Sequence, residues 1–133
     1  MQLDNLVVIV TLLALMVYLW TGMRVGRARY KYGVQAPAIT GAPEFERAYR
    51  AQMNTLEWLP VFMISMWLFA YELNAMIAAA LGVVWIAGRI WYAVGYTQDP
   101  AKRGPGFGIQ ALATMVLLAG ALGKAIYSAV SGG

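Results

Sequence analysis

The stretch FERAYRAQMNTLEWLPVFMISMWLFAYEL, residues 45–73, contains the polar and the apolar half of one predicted helix. Its second half is almost entirely apolar, whereas its first half carries Arg50, Asn54 and Glu57. Together with Arg47, these residues recur every three or four positions, so they share one face of a helix. Charges are costly inside a membrane, and an intramembrane stripe of them usually marks a functional site. The stretch therefore predicts a membrane helix with a polar stripe at one end.

The whole chain is strongly apolar. Of its 133 residues, 61% are hydrophobic and 12% are charged, and the mean hydropathy is +0.60. Because soluble domains carry about 25% charged residues, this composition predicts a membrane protein. A membrane-spanning helix needs about 20 apolar residues, so four spans use most of the chain and leave room for a single domain only.

Four apolar stretches predict an all-α, up-down four-helix bundle that spans the membrane. The second helix is expected to start at Pro43, since proline is favoured at the first helical position and two glutamates follow in the first turn. Within one domain over residues 1–133, the predicted spans are 3–22, 43–73, 75–96 and 107–128.

Positive charges are concentrated in two of the segments between spans. These basic residues are Arg24, Arg27, Arg29 and Lys31 in the first segment, and Lys102 and Arg103 in the second. The positive-inside rule predicts that both segments face the cytosol and that both termini lie on the opposite side. The same distribution argues against nucleic-acid binding, because the basic residues border membrane spans and do not cover a soluble surface.

The chain contains neither cysteine nor histidine. This excludes disulfides, thiolate metal sites, a cysteine nucleophile and the commonest general base. Any catalysis must therefore use arginine, tyrosine, a carboxylate or a group that the substrate supplies, and no metal is expected.

A second polar stripe lies on the predicted third helix, where Arg89, Tyr92 and Tyr96 share one face. If the second and third helices form an antiparallel hairpin, residues equally far from the turn lie at equal depth. The pairs at equal depth are Glu57 with Arg89, Asn54 with Tyr92, and Arg50 with Tyr96. This predicts a cleft, open to the cytosol, for a small zwitterionic or polyanionic molecule. In the alternative interpretation, the first pair is a structural ion pair and the tyrosines belong to an aromatic belt.

Several motifs extend these stripes. The segment ERAYRAQMN at 46–54 is followed by Glu57 and Pro60, and RIWY at 89–92 is followed by Gly-Tyr at 95–96 and Lys-Arg at 102–103. Over nearly the whole chain, the sequence resembles the MAPEG family of membrane glutathione-dependent proteins. The resemblance implies a homotrimer of four-helix subunits, with three glutathione sites that lie between neighbouring subunits and open to the cytosol.

The resemblance also implies which residues bind glutathione. From one subunit these are Arg50, Asn54, Glu57, Trp58, Arg89, Tyr92 and Tyr96, and from its neighbour Arg29 and Gln52. Trp58 stands where several relatives carry a tyrosine, so it lacks a hydroxyl that they have. Tyr30 stands where leukotriene-forming members carry an arginine, and leukotriene synthesis is therefore not expected.

Arg103 matches the arginine that catalytic members of the family place over the glutathione sulfur. A free thiol has a pKa of about 8.5, and only the thiolate is a strong nucleophile. Lowering this pKa by about two units requires roughly 2.7 kcal/mol of differential interaction, which one nearby cation can supply. The resemblance thus implies a glutathione transferase that acts on hydrophobic electrophiles from membrane lipid, with a possible peroxidase activity on lipid hydroperoxides. Considered alone, Arg103 could also be one more orientation charge.

Two other function classes stay open at this point. The first is a non-catalytic lipid-binding scaffold with the same fold. The presence of Arg103 and Gln52 argues against this class. The second is a small transporter or channel, which would need charged residues along a path through the bilayer. The polar positions stop at mid-depth, and this favours the transferase.

Overall fold

The computed structural model describes residues 3–132, with side chains from Asn5 onward. This part of the chain forms four α-helices and a short 3₁₀ helix, and it contains no strand. The elements are α1 (Leu3–Tyr32), α2 (Pro43–Glu72), α3 (Ala75–Gln98), the 3₁₀ helix (Pro100–Arg103) and α4 (Gly104–Ser131). The predicted all-α, four-helix class is confirmed, whereas the single-domain assignment stays a prediction.

Helix α1 continues past the predicted end of the first span at Gly22 and reaches Tyr32. The basic residues of the first segment therefore lie on the last turns of a helix and not in a loop. Gly33, with φ of 68°, ends the helix, and the N–H of Val34 donates to the carbonyl of Arg29 over 3.0 Å. Glycine adopts this left-handed conformation without the steric penalty that a Cβ would bring.

A tight turn at residues 73–74 joins α2 to α3. Helix α2 starts at Pro43 and runs without interruption through Pro60. At the far side of the turn, Asn74 Oδ1 accepts a hydrogen bond of 2.9 Å from the N–H of Ile77 and caps α3. This hairpin holds α2 and α3 antiparallel, so the two polar stripes lie at the same end of the bundle.

Helices α3 and α4 cross closely at two glycines. A Cβ at Gly88 would lie 2.8 Å from the backbone N of Gln110 and 3.0 Å from the carbonyl oxygen of Gly106, so only glycine allows this approach. Helix α4 begins at Gly104, one turn before the predicted span at residue 107. The crossing fixes the start of α4, and with it the 3₁₀ helix, against the end of α3.

The interior of the bundle is apolar and well packed. Phe62 and Trp85 are fully buried and stack with ring centroids 4.1 Å apart, and Met66 and Leu117 complete the layer around them. Many large apolar side chains instead point outward, as Leu112 does with 67% of its surface exposed. Outward-facing apolar side chains are what a helix surface in contact with lipid requires.

Three of the described helices are long and apolar enough to cross a membrane: Asn5–Tyr32, Ala75–Gln98 and Pro100–Ser131, the last of which includes the 3₁₀ helix. Helix α2, predicted as a fourth span, is as long as α1 but does not meet the same criterion of composition. The polar residues of its first half lower its hydropathy. These are also the residues that line the cleft described next.

Candidate functional site

A polar cleft of about 290 Å³ lies between α2, α3 and the 3₁₀ helix. The side chains that line it are those of Arg50, Met53, Asn54, Glu57, Tyr92, Tyr96 and Arg103. All except Met53 were predicted as site residues from the sequence. The volume is close to the lower limit of about 300 Å³ for small-molecule sites, which suits a short peptide.

Helix α2 contributes the charged wall of the cleft. Arg50, Asn54 and Glu57 follow one another at helical spacing, so the helix alone directs them to one side. Arg50 and Glu57 are exposed and Asn54 is half-buried. The wall therefore offers a cation, a carboxylate and an amide to a ligand.

Helix α3 contributes two tyrosines to the opposite wall. The rings of Tyr92 and Tyr96 meet edge to face, with centroids 5.6 Å apart, and Tyr92 also packs against Phe107 of α4. Tyr92 is only 5% exposed, so its ring is fixed by packing. A phenol hydroxyl can both donate and accept a hydrogen bond, and each ring can therefore orient a polar ligand.

The 3₁₀ helix brings Arg103 to the cleft. Helix α3 ends two residues before Pro100, since a proline disfavours helical conformation in the residue before it. Asp99 Oδ1 then accepts a hydrogen bond of 3.0 Å from the N–H of Ala101 and starts the new turn. A Cβ at Gly95 would lie 2.9 Å from the carbonyl oxygen of Lys102, which shows how closely the turn packs on α3. The exposed side chain of Arg103 completes the lining of the cleft.

Arg89 lies behind the cleft and not on its surface. Its side chain is fully buried; Nη1 donates to Asn54 Oδ1 over 2.9 Å, and Nη2 donates to Thr55 Oγ1 over 2.7 Å. Its guanidinium also lies 4.5 Å from the centroid of the Tyr92 ring. Arg89 thus supports two residues of the cleft wall from behind.

The structure does not pair Arg89 with Glu57, its expected neighbour at equal depth. Glu57 is exposed and lines the cleft, whereas Asn54 and Thr55 receive the two hydrogen bonds of the guanidinium. Positions 55 and 57 are separated by about 200° around a helix, so Glu57 cannot take the place of Thr55 beside Arg89. The interpretation of Glu57 and Arg89 as a structural ion pair is not supported by this geometry.

Thr55 is a residue that the sequence analysis missed. It is fully buried; its Oγ1 donates to the carbonyl of Ala51 over 2.8 Å and accepts the hydrogen bond from Arg89. A single threonine in an apolar helix gives no specific signal. Only its position opposite Arg89 in the hairpin could have indicated this role.

Trp58 lies one turn further along the same face of α2 than Asn54, beyond the cleft lining. It is half-buried and meets Phe107 of α4 edge to face, with ring centroids 5.5 Å apart. It does not line the cleft. Within the described chain it packs on Phe107 and on the hydrophobic core, and a direct role in binding stays a prediction.

Arg29 and Gln52 also lie outside the cleft of their own chain. Gln52 faces α1, where a Cβ at Gly22 would lie 3.1 Å from its Nε2. Arg29 donates from Nη1 to the carbonyl of Ala38 over 2.7 Å and lies over the ring of Phe45. The structure of one chain therefore brings together Arg103 and five of the nine predicted binding residues, with Arg89 behind them.

Comparison with known proteins identifies the family. The chain matches the model of the MAPEG family over residues 7–123. The chain belongs to the MAPEG family. The resemblance seen in the sequence motifs is thereby confirmed, and the three apolar helices agree with an integral membrane protein of this family.

Individual MAPEG relatives cover most of the chain. An uncharacterized protein of Synechocystis is 52% identical over 114 residues, which is 86% of this chain and 83% of the relative. Human microsomal glutathione S-transferase 2 is 47% identical over 107 residues, 77% of this chain and 71% of the relative. Leukotriene C4 synthase of Cavia porcellus is 37% identical over 94 residues, 71% of this chain and 63% of the relative.

Proposed function

We propose that this MAPEG protein is a membrane glutathione transferase, which activates glutathione as a thiolate and conjugates it to hydrophobic electrophiles. The observation that carries the proposal is the position of Arg103 on the rim of a cleft that already contains a second cation and a carboxylate. The identity of 47% with human microsomal glutathione S-transferase 2 supports the same activity.

The cleft offers partners for two of the three ionic groups of glutathione. The tripeptide carries two carboxylates and one ammonium group. Arg50 can bind a carboxylate, and Glu57 can bind the ammonium group through a charge-assisted hydrogen bond. Asn54 can donate or accept through its amide, although its Oδ1 already accepts from Arg89. Arg89 therefore acts as a positioning residue in this proposal.

Arg103 is the proposed catalytic residue. Its side chain is exposed on the rim, where a bound thiol can approach it. Two unit charges about 4 Å apart interact by roughly 4 kcal/mol at an effective dielectric constant near 20. A thiol pKa lowered by about two units requires only about 2.7 kcal/mol, so one arginine is sufficient. The thiolate then attacks an electrophile that enters from the bilayer.

The same thiolate supports a peroxidase activity on lipid hydroperoxides. Its sulfur would attack the distal peroxide oxygen, which releases the lipid alcohol after protonation and leaves glutathione sulfenic acid. A second glutathione would then form the disulfide and release water. Both steps use glutathione alone as the reductant.

The proposed assembly is a homotrimer with three glutathione sites between subunits and open to the cytosol. Arg29 and Gln52 do not reach the cleft of their own chain, since they lie against the loop after α1 and against α1 itself. A neighbouring subunit would bring both to the cleft. The basic ends of α1 and of the 3₁₀ helix support a cytosolic orientation of the site, with both termini on the other side.

The first experiment measures thiolate formation directly. Purified protein in detergent is titrated with glutathione, and the difference absorbance near 240 nm is compared between wild type and Arg103→Ala. We expect a thiolate signal in the wild type at neutral pH and its loss in the variant, with glutathione binding retained. Absence of both signal and binding in the wild type would favour the lipid-binding scaffold instead.

A second experiment tests the intersubunit site. Subunits with Gln52→Ala and subunits with Asn54→Ala are expressed separately and together, and glutathione conjugation is measured. If each site uses Gln52 from one subunit and Asn54 from another, mixed assemblies contain some intact sites and recover activity that neither single variant shows. Mixed assemblies with no more activity than the mean of the two variants would refute an intersubunit site.

A further inference from the structure

A second charged cleft, of about 340 Å³, lies at the ends of α1 and α3, away from the glutathione cleft. Arg24, Arg27 and Lys31 of α1 line it, and Glu44 of α2 is the carboxylate in the lining. Three cations against one carboxylate leave an excess of positive charge. Thr97 of α3 belongs to the same wall.

An apolar groove of about 330 Å³ lies between the same two helices. Its lining residues are Leu13, Met16, Val17 and Trp20 of α1, and Ile86 and Ile90 of α3. Leu13, Met16 and Ile90 are exposed on the outer surface of the bundle. The groove therefore runs between two helices, and the indole N–H of Trp20 is the polar side-chain group in its lining.

The basic cleft and the apolar groove lie one after the other along α1 and α3, and the two together are called the channel below. Arg24 Nη2 donates to Thr97 Oγ1 over 2.6 Å, which pairs residues 73 positions apart. Leu13 and Ile86 of the apolar groove have the same separation in sequence, so the two helices run parallel and in register along the channel. The levels of Leu13 and Arg24 are about 16 Å apart at 1.5 Å per residue.

The two parts meet at one pair of side chains. The guanidinium of Arg24 lies 4.9 Å from the centroid of the Trp20 ring. Arg24 lines the basic cleft and Trp20 lines the apolar groove. Tryptophan favours the boundary between hydrocarbon and headgroups, so this pair marks the depth at which a lipid would change from tail to headgroup.

We propose that this channel binds one anionic phospholipid, with its phosphate at Arg24, Arg27 and Lys31 and an acyl chain along Leu13 and Ile90. The excess positive charge complements an anionic headgroup and not a neutral one. The apolar groove contributes little preference by itself, because lipid tails and leucine side chains are similarly apolar. An orientation signal would need only positive charge on this side of the membrane; it would not need Arg24 fixed to α3 beside an apolar groove.

The test is native mass spectrometry of protein released from mixed micelles that contain phosphatidylglycerol and phosphatidylcholine with identical acyl chains. We expect the wild type to retain phosphatidylglycerol preferentially, at about one molecule per chain. The double variant Arg27→Gln, Lys31→Gln should reduce this preference about 30-fold, since each basic residue near a headgroup contributes about fivefold. The control Lys102→Gln, Lys124→Gln removes two charges outside the channel and should retain the preference.

A third variant and a soluble competitor test the acyl-chain part. Ile90→Trp fills the groove without a change in charge and should also reduce retention of phosphatidylglycerol, whereas glycerol 3-phosphate should not displace the lipid at millimolar concentration. Helical circular dichroism and oligomer mass establish that each variant is folded. Any one of four results would overturn the proposal. The wild type could retain both lipids equally, or the two double variants could lose the preference equally. Alternatively, Ile90→Trp could leave the preference unchanged, or glycerol 3-phosphate could displace the lipid.

Discussion

Replacement of Thr55 by valine tests whether Arg89 is held from behind the cleft as the structure shows. The substitution preserves shape but removes the hydroxyl that accepts the 2.7 Å hydrogen bond from Arg89 Nη2. The guanidinium is fully buried, and its Nε already has no partner, so a second polar group would be left unpaired. A buried hydrogen bond to a charged group contributes about 1.5–3 kcal/mol, and we expect the free energy of unfolding to fall by about that amount.

Thr114 provides a matched control for this prediction. It is also fully buried, and its Oγ1 donates to the carbonyl four residues earlier over 2.9 Å, as that of Thr55 does over 2.8 Å. No arginine donates to the Thr114 hydroxyl among the hydrogen bonds of residues 5–132. Thr114→Val should therefore cost about 1 kcal/mol, the net contribution of one neutral hydrogen bond.

The assay is unfolding of both variants in mixed micelles of increasing SDS content, followed by helical circular dichroism. Glutathione affinity is measured in parallel by titration calorimetry. Thr55→Val should also weaken binding, because Arg89 holds Asn54 in the cleft wall, whereas Thr114→Val should not. Equal losses of stability in the two variants, with equal glutathione affinity, would refute the role given to Arg89 as a positioning residue.

Three further predictions concern thiol activation in the cleft, the close packing of α4 on α3, and the cap of the 3₁₀ helix. The pH profile of kcat/KM for a soluble electrophile should rise through the pKa of the bound thiol, and Arg103→Gln should move this rise upward by about two units, to about pH 8.5; an unmoved profile would exclude thiol activation by this residue. Gly88→Ala places a Cβ 2.8 Å from the backbone of α4 and should destabilise the protein by about 1–3 kcal/mol in SDS unfolding. In the control Gly108→Ala the new Cβ meets nothing within 4 Å, so this variant should be neutral or stabilising. Asp99→Ala removes the cap of the 3₁₀ helix and should reduce the thiolate signal near 240 nm. Asn74→Ala removes a comparable cap at the opposite end of α3 and should not reduce that signal. Each variant should lower the free energy of unfolding by about 1 kcal/mol.

Much of the candidate site follows from local periodicity. Arg50, Asn54 and Glu57 share a helix face by spacing alone, and so do Tyr92 and Tyr96. Once a hairpin is assumed, the two faces have to meet. Arg89 belongs to the stripe of Tyr92 and Tyr96 in sequence, yet the structure places it behind the cleft wall. There its guanidinium donates hydrogen bonds to Asn54 and Thr55 of α2.

The sequence by itself determined the helical class, the membrane setting and the family, because hydropathy, helical spacing and motif residues are properties of a chain read along its length. Only the tertiary structure decided that α1 and α3 run in register to form a channel and that Arg89 bonds Thr55 and not Glu57. It also decided that Arg103 sits on a capped 3₁₀ turn at the cleft. These features depend on the rotation and depth of one helix relative to another, which side-chain packing fixes across the bundle and which no local pattern encodes.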